Sequence, residues 1–147
     1  MRDIKITNVN MSVYTLSDIL ENNEINVNPN NSVNYPWGEE KMSRLIESIL
    51  LKIPLPILYF DVSNPNYWNS INGIQILYAI EDFIDGKLKL NNMEILTNLN
   101  GLDYSNLPNN YKRIFYDTQI ITYQIEAQTP RELREFIFKR IRDMNAN

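Results

Sequence analysis

Residues 45–60 read LIESILLKIPLPILYF, and this stretch joins the end of a helix to the start of a strand. The helix begins earlier, in EEKMSRLIESILLK, where Glu39 and Glu40 suit the positive end of a helix dipole. Pro54 and Pro56 end the helix because proline lacks an N–H and clashes with the preceding turn. The segment PILYFDV is then predicted to be a buried strand. The apolar face of the helix consists of Met42, Leu45, Ile46, Ile49 and Leu50.

The next unit, residues 67–90, reads YWNSINGIQILYAIEDFIDGKLKL and continues this alternation. YWNSI predicts a second strand, and Gly73 opens the helix that follows it. Gly86 stands just past the last apolar residue of the helix, where a left-handed residue commonly ends helices. The apolar stripe of this helix consists of Ile74, Leu77, Ile80, Phe83 and Ile84.

The segments on either side are less regular. TLSDILEN predicts a short helix with Thr15 as its N-cap, and LPNNYKRIFYD predicts a later helical segment. NNEINVNPNNSVNYPWG predicts a long turn-rich loop with room for a short strand at residues 25–27.

The C-terminal part combines a strand with a helix. In TPRELREFIFKRIRDMN, Thr129 is the predicted N-cap, with Pro130 at the first helical position and Glu132 completing a capping box. The predicted buried face of this helix consists of Leu133, Phe136, Ile137, Ile141 and Met144. The preceding TQIITYQIEA predicts a strand with Ile121, Tyr123 and Ile125 on one face and Thr122, Gln124 and Glu126 on an exposed face.

The predicted element order is helix, loop, helix, strand, strand, helix, mixed segment, strand and helix. Because strands and helices do not alternate regularly, the order indicates an α/β (α+β) fold in which helices flank a small mixed sheet. A length of 147 residues, without repeats or a linker, predicts one domain over residues 1–147.

The composition excludes several kinds of chemistry. The chain has no His and no Cys, so Ser-His and Cys-His nucleophiles, H-N-H nuclease segments and thiolate metal sites are impossible. Catalysis would depend on carboxylates, Lys, Tyr or a hard metal held by oxygens. The lack of Cys favours a cytoplasmic location. We expect no membrane partner, because no apolar run approaches the roughly 20 residues of a membrane span and no signal peptide is recognisable.

Charge is distributed unevenly along the chain. The net charge is −4, but residues 112–147 carry 7 basic and 5 acidic side chains. The basic residues of the predicted last helix are Arg131, Arg134, Lys139, Arg140 and Arg142. They form either a contact for nucleic acid or an acidic partner, or the solvated face of a helix.

Three segments together resemble a known family. LIESILLKIPLPILYF is similar to its helix–strand segment, INGIQIL to its D-G-Q-Q-R-L segment and FIFKRIRDMN to its last helix. The family is the N-terminal domain of GmrSD-type restriction enzymes, which are ParB/sulfiredoxin-like domains. The resemblance covers residues 15–144 and implies this fold, with a nucleotide or phosphodiester site at the D-G-Q-Q-R motif.

The residues that would carry chemistry in that motif are replaced. The aligned acid is Asn72, the aligned arginine is Ile76, and one glutamine is Ile74, whereas Gly73 and Gln75 match. Isoleucine cannot bind a phosphate as the forked donors of arginine do. An amide is a poor substitute for a carboxylate as a Mg²⁺ ligand or a base.

A second family motif, P-x-Y-Q-R-x-Y-V-W, falls on residues 29–37. Its Gln-Arg pair is Ser32-Val33 in this chain, whereas Tyr35 and Trp37 match. The resemblance therefore implies a site without catalytic residues and without a metal, whose remaining nucleotide- or phosphate-binding residues are Asn72, Gly73, Gln75, Tyr35 and Trp37.

Each of these residues also has a purely structural interpretation. Asn72 and Gly73 could form an ordinary turn with Asn72 as an N-cap, and Gln75 could be a partly exposed helix residue. Tyr35 and Trp37 could stack on a base or could pack the loop onto the core.

Three functions are consistent with the resemblance. The first is a catalytically degenerate binding or regulatory module in DNA defence or mobile-element (phage-type) biology, with DNA or a protein as its partner. The second is a protein-interaction inhibitor or decoy of a related defence system. The third is a weak nucleotide-dependent nuclease or NTPase. No cofactor is expected, except a nucleotide with Mg²⁺ if the site is still functional.

Overall fold

A computed structural model describes residues 3–31, 33 and 36–145. Within these ranges the chain forms five strands and five α-helices. The strands are β1 (Ile6–Ser12), β2 (Ile25–Asn26), β3 (Leu58–Asp61), β4 (Trp68–Ser70) and β5 (Gln119–Ile125). The helices are α1 (Val13–Glu21), α2 (Glu39–Leu50), α3 (Ile74–Ile84), α4 (Asn109–Asp117) and α5 (Arg131–Met144).

The strands form one mixed sheet in the order β1-β5-β3-β4-β2. β5 pairs with β1 antiparallel and with β3 parallel, and β4 pairs with β3 antiparallel and with β2 parallel. The predicted mixed α/β class is therefore confirmed. No helix in the described ranges is both long enough and apolar enough to cross a membrane.

Helices lie on both faces of the sheet. Leu58 and Phe60 of β3 belong to the larger core, together with apolar side chains of α1, α2, α3 and α4. Tyr59, which alternates with them, faces the other side and packs against a smaller cluster formed with α5. This cluster consists of Ile71, Ile125, Phe138 and Ile141. The period of two along β3 thus separates the two cores.

The predicted faces of β5 are wrong over its first half. Ile121 is 43% exposed, whereas Thr122 is fully buried and donates its hydroxyl to the carbonyl of Val9 at 2.5 Å. The reason is that Ile120 and Thr122 face the larger core, while α5 covers the other face only near Ile125.

β1 was not predicted from the sequence. ITNVNMS alternates, but two of its outward positions are asparagines and its inward side is only weakly apolar. Val9 and Met11 face the larger core, whereas Asn8 and Asn10 are exposed. The segment forms a strand because β5 provides the backbone partner along its whole length.

Two predicted helix caps are wrong. The N-cap of α1 is Ser12, whose hydroxyl accepts the N–H of Thr15 at 3.1 Å. Thr129 does not cap α5, because its hydroxyl accepts the N–H of Lys5 at 2.8 Å and donates to the Lys5 carbonyl. Thr129 therefore anchors the residue before β1 instead of the helix that follows it.

The predicted buried face of α5 is only partly correct. Ile141 is buried and Ile137 is half-buried, but Phe136 is 56% exposed and Met144 is 72% exposed. Phe138, which was not predicted, is buried instead. α5 rests on the sheet through Phe138 and Ile141, three residues apart, and this turns Phe136 away from the sheet.

Candidate functional site

A cleft of about 640 Å³ opens where the first turn of α3 meets the end of α5 and the loop before α2. It contains much of the motif region: Asn72, Gly73 and Gln75 line it, together with Trp37. The Ile74 and Ile76 side chains are buried and line the same cleft, so its α3 wall is largely apolar. Tyr35 and Ser32 lie outside the described residues.

Asn72 is a structural bridge between α3 and β3. Its Oδ1 accepts the N–H of Tyr59 at 2.8 Å and its Nδ2 donates to the carbonyl of Ile57 at 2.9 Å. Nδ2 also lies 3.4 Å from Oδ1 of Asn145, just past α5. The side chain is 8% exposed. Asn72 therefore does not act as the N-cap of α3, and its amide is committed to protein partners rather than to a ligand.

Gly73 is required by the backbone. It is the N-cap of α3 with φ of +67°, in the left-handed region that side chains disfavour. A Cβ at this position would lie 2.3 Å from Cδ2 of Leu58, which is fully buried. The sharp turn and the close approach to β3 both require glycine, so the match of this residue to the family motif has a structural explanation.

Gln75 and Trp37 hold the loop before α2 against α3. Oε1 of Gln75 accepts the N–H of Trp37 at 2.9 Å. The indole is half-buried, packs against the larger core, and has the Lys41 ammonium 5.1 Å from its ring centre. The structure thus favours the packing interpretation of Trp37, although its ring also borders the cleft.

Arg142 is the cationic side chain among the described residues that line the cleft. It is half-buried, and within the described part of the chain its guanidinium makes no hydrogen bond or ion pair. It also lines a neighbouring cavity of about 400 Å³ with Asp61 and Glu135. Asp61 and Glu135 make the second cavity unfavourable for an anion, whereas no acidic residue lines the described part of the cleft, where the forked donors of Arg142 could meet one.

The N-terminus of α3 lies on the same cleft as Arg142 and adds a second source of positive charge. The first N–H groups of a helix have no acceptor within the helix, and the helix dipole is positive at this end. A helix N-terminus and an arginine on one cleft form an arrangement suited to phosphate or carboxylate.

The other basic residues of α5 do not join the cleft. Arg134 donates to the carbonyls of Ala127 at 3.2 Å and Thr129 at 2.6 Å, so it stabilises the turn before the helix. Arg140 stacks on Phe136, with 4.9 Å between the guanidinium carbon and the ring centre. The remaining two, Arg131 and Lys139, are exposed.

Nothing in the local spacing of α5 distinguishes Arg142 from the other cations. The sequence predicted it as part of a basic helix face, whereas the structure places it at the motif region. What brings Arg142 to the motif residues is the packing of the end of α5 against Asn72, marked by the contact between Asn72 and Asn145. This contact is long-range, so it leaves no signal in the sequence. In the described ranges no cluster of three or more Asp or Glu side chains is arranged to hold a metal ion.

Comparison of the chain with family models, with curated protein sequences and with solved structures finds no match. The resemblance to GmrSD-type N-terminal domains therefore stays a prediction made from the motifs in residues 15–144.

Proposed function

We propose that this chain is a catalytically degenerate relative of the ParB/GmrSD N-terminal class that acts in the cytoplasm as a binding or regulatory module. Its ligand is an anion, the phosphate of a nucleotide or of DNA, bound in the cleft between α3 and α5. The observation that carries the proposal is Arg142, a half-buried arginine without a protein partner in the described residues, on the same cleft as the first turn of α3.

The hydrogen bonds of the Asn72 side chain support a function without catalysis. Both ends of its amide are hydrogen-bonded, one to Tyr59 in β3 and the other to Ile57 just before β3. A general base or a Mg²⁺ ligand needs free lone pairs directed at the substrate, and the Asn72 side chain has a structural task instead.

The test is a titration with ATP, GTP, CTP and a short DNA duplex at low salt, with and without Mg²⁺. We expect saturable binding, and Arg142→Gln should weaken it roughly 10- to 100-fold because a charge-assisted hydrogen bond contributes about 1.5–3 kcal/mol. The matched control is Arg131→Gln on the same helix, which should leave binding unchanged because Arg131 does not line the cleft. The absence of saturable binding at low salt, or equal losses in both variants, would contradict the proposal.

The salt dependence separates the two ligand classes. DNA binding through several phosphates falls steeply with salt, whereas a single nucleotide shows a shallow slope. Turnover of any of these nucleotides above the Arg142→Gln background would instead favour the weak NTPase.

A second function, a protein-interaction inhibitor or decoy, is favoured by a different surface. Phe136 and Met144 on α5 are exposed, and Arg140 stacks on Phe136. Exposed aromatic and arginine side chains are typical of the centres of protein interfaces. In an interaction screen against related restriction systems, Phe136→Ala should abolish a specific complex while Arg142→Gln should not. The reverse result would assign the interaction to the cleft.

A further inference from the structure

The strand β1 forms one edge of the sheet, and within the described residues it pairs only with β5. It is 7 residues long and contains no charged residue, proline or glycine. Edge strands in soluble proteins are usually short, charged, bulged or covered, because their free backbone groups can pair with another chain. β1 lacks these protections, so its outer edge is available for strand addition.

The register identifies which backbone groups face outward. Val13 N–H donates to the Thr118 carbonyl at 2.8 Å, and Glu126 N–H donates to the Lys5 carbonyl at 3.0 Å. Antiparallel ladders alternate, so the odd-numbered residues of β1 direct their N–H and C=O groups to β5. The backbone groups of Ile6, Asn8 and Asn10 therefore face the open edge.

We propose that this edge pairs with the same edge of a second copy of the chain, antiparallel, about a two-fold axis at Val9. The segment Asn8-Val9-Asn10 is symmetric about Val9, so the axis sets Asn8 of one copy opposite Asn10 of the other. Both are outward-facing, hydrogen-bonding positions of the ladder, and both side chains are exposed amides that can donate and accept.

The composition of β1 is compatible with this pairing, because a second copy introduces no like-charge contact along the uncharged residues 6–12.

Two matched double variants test the proposal by sedimentation velocity from low micromolar to near-millimolar concentration. Asn8→Lys with Asn10→Lys sets like charges opposite each other across the axis, whereas Asn8→Lys with Asn10→Glu sets opposite charges there. We expect the native chain to dimerise, the first variant to dimerise at least ~10-fold more weakly, and the second to dimerise at least as well as the native chain.

Both variants lose the same side-chain hydrogen bonds, from Asn8 to Asn10 and to the Thr122 carbonyl. Equal thermal unfolding of the two variants at a concentration where both are monomeric therefore shows that a difference in dimerisation is not a difference in folding. A native chain that stays monomeric overturns the proposal. So does a dimer that responds equally to the two variants, since it would be held by another surface.

The register can be tested separately because the chain has no Cys. Asn8→Cys mixed with Asn10→Cys should form a disulfide faster than either variant alone under mild oxidation, since these positions are opposite each other only in the proposed register. Faster homodimer formation by Asn8→Cys would overturn the two-fold axis at Val9.

Discussion

Replacing Asn72 by aspartate exchanges a hydrogen-bond donor for an acceptor at a position where the structure requires a donor. In the native chain Nδ2 donates to the Ile57 carbonyl at 2.9 Å, while Oδ1 accepts the Tyr59 N–H at 2.8 Å. A carboxylate keeps the second hydrogen bond but directs a negatively charged oxygen at the carbonyl. Since Asn72 is only 8% exposed, water relieves this contact only in part.

The expected cost of Asn72→Asp at pH 7 is about 2–3 kcal/mol of unfolding free energy. One lost hydrogen bond that leaves a buried group unsatisfied costs about 1–3 kcal/mol, and a charge on that group adds to the cost. Protonation restores a donor, so the folded-state pKa of the new carboxyl should lie above its unfolded value. Between the two pKa values the native state of the variant binds more protons than its unfolded state. The variant should therefore regain stability as the pH falls towards about 4.

Urea unfolding followed by the fluorescence of Trp37 and Trp68 measures this cost at pH 7 and at pH 4. The matched control is Asn98→Asp, an exposed position where the same substitution should change stability by less than about 0.5 kcal/mol. If Asn72→Asp is as stable as the control variant at pH 7, or if its deficit does not shrink at pH 4, the structural assignment of Asn72 is wrong.

Three further substitutions test other parts of the fold by the same unfolding measurement. Glu47 is buried; burial raises its pKa, but the N–H donors of residues 96, 94 and 95 outweigh this and lower it. Glu47→Gln should therefore cost about 1–3 kcal/mol at pH 7, and less as the pH falls from about 4.5 through the lowered native pKa of this carboxyl. Gly73→Ala should cost about 2–4 kcal/mol through left-handed strain and contact with Leu58, and an unchanged midpoint contradicts this. A hydrogen bond that protonated Glu21 donates to the Asp85 carboxylate, with burial and the nearby charges, raises the pKa of Glu21 to about 7, so the native state loses stability as the pH rises from 4.5 to 7. Glu21→Gln should remove this dependence and stabilise the protein at pH 8 by on the order of 0.5 kcal/mol, since the group is exposed and screened.

The elements with a strong apolar period were predictable from the sequence. α2 and α3 carry wide apolar stripes, and proline or glycine marks their ends, so local chemistry was sufficient to place them. β1 was missed because its partner, β5, lies more than a hundred residues later in the chain. The faces of β5 were assigned wrongly because Ile120 and Ile121 are adjacent, and the choice between them depends on which helices cover each face.

The site was less predictable than the fold because each of its residues can have either a structural role or a ligand-binding role. Gly73 and Gln75 match the family motif, but the structure gives each a local reason: a left-handed turn against Leu58, and a hydrogen bond to Trp37. A linear motif cannot separate a residue kept for a turn from one kept for a ligand. The contacts made by the side chain separate them.

Ile76 stands where the motif of the resembled family has an arginine, but the cleft still has a cation. Arg142 lines the same cleft from α5, a helix that rests on the sheet through Phe138 and Ile141. The cation is therefore held by the docking of α5 and not by α3 itself. Because a ligand that binds only the docked state stabilises that state, phosphate binding at Arg142 and the packing of α5 should strengthen each other. An anion in the cleft should then slow hydrogen exchange along α5 in the native chain, and Arg142→Gln should remove this protection without changing the exchange of α2.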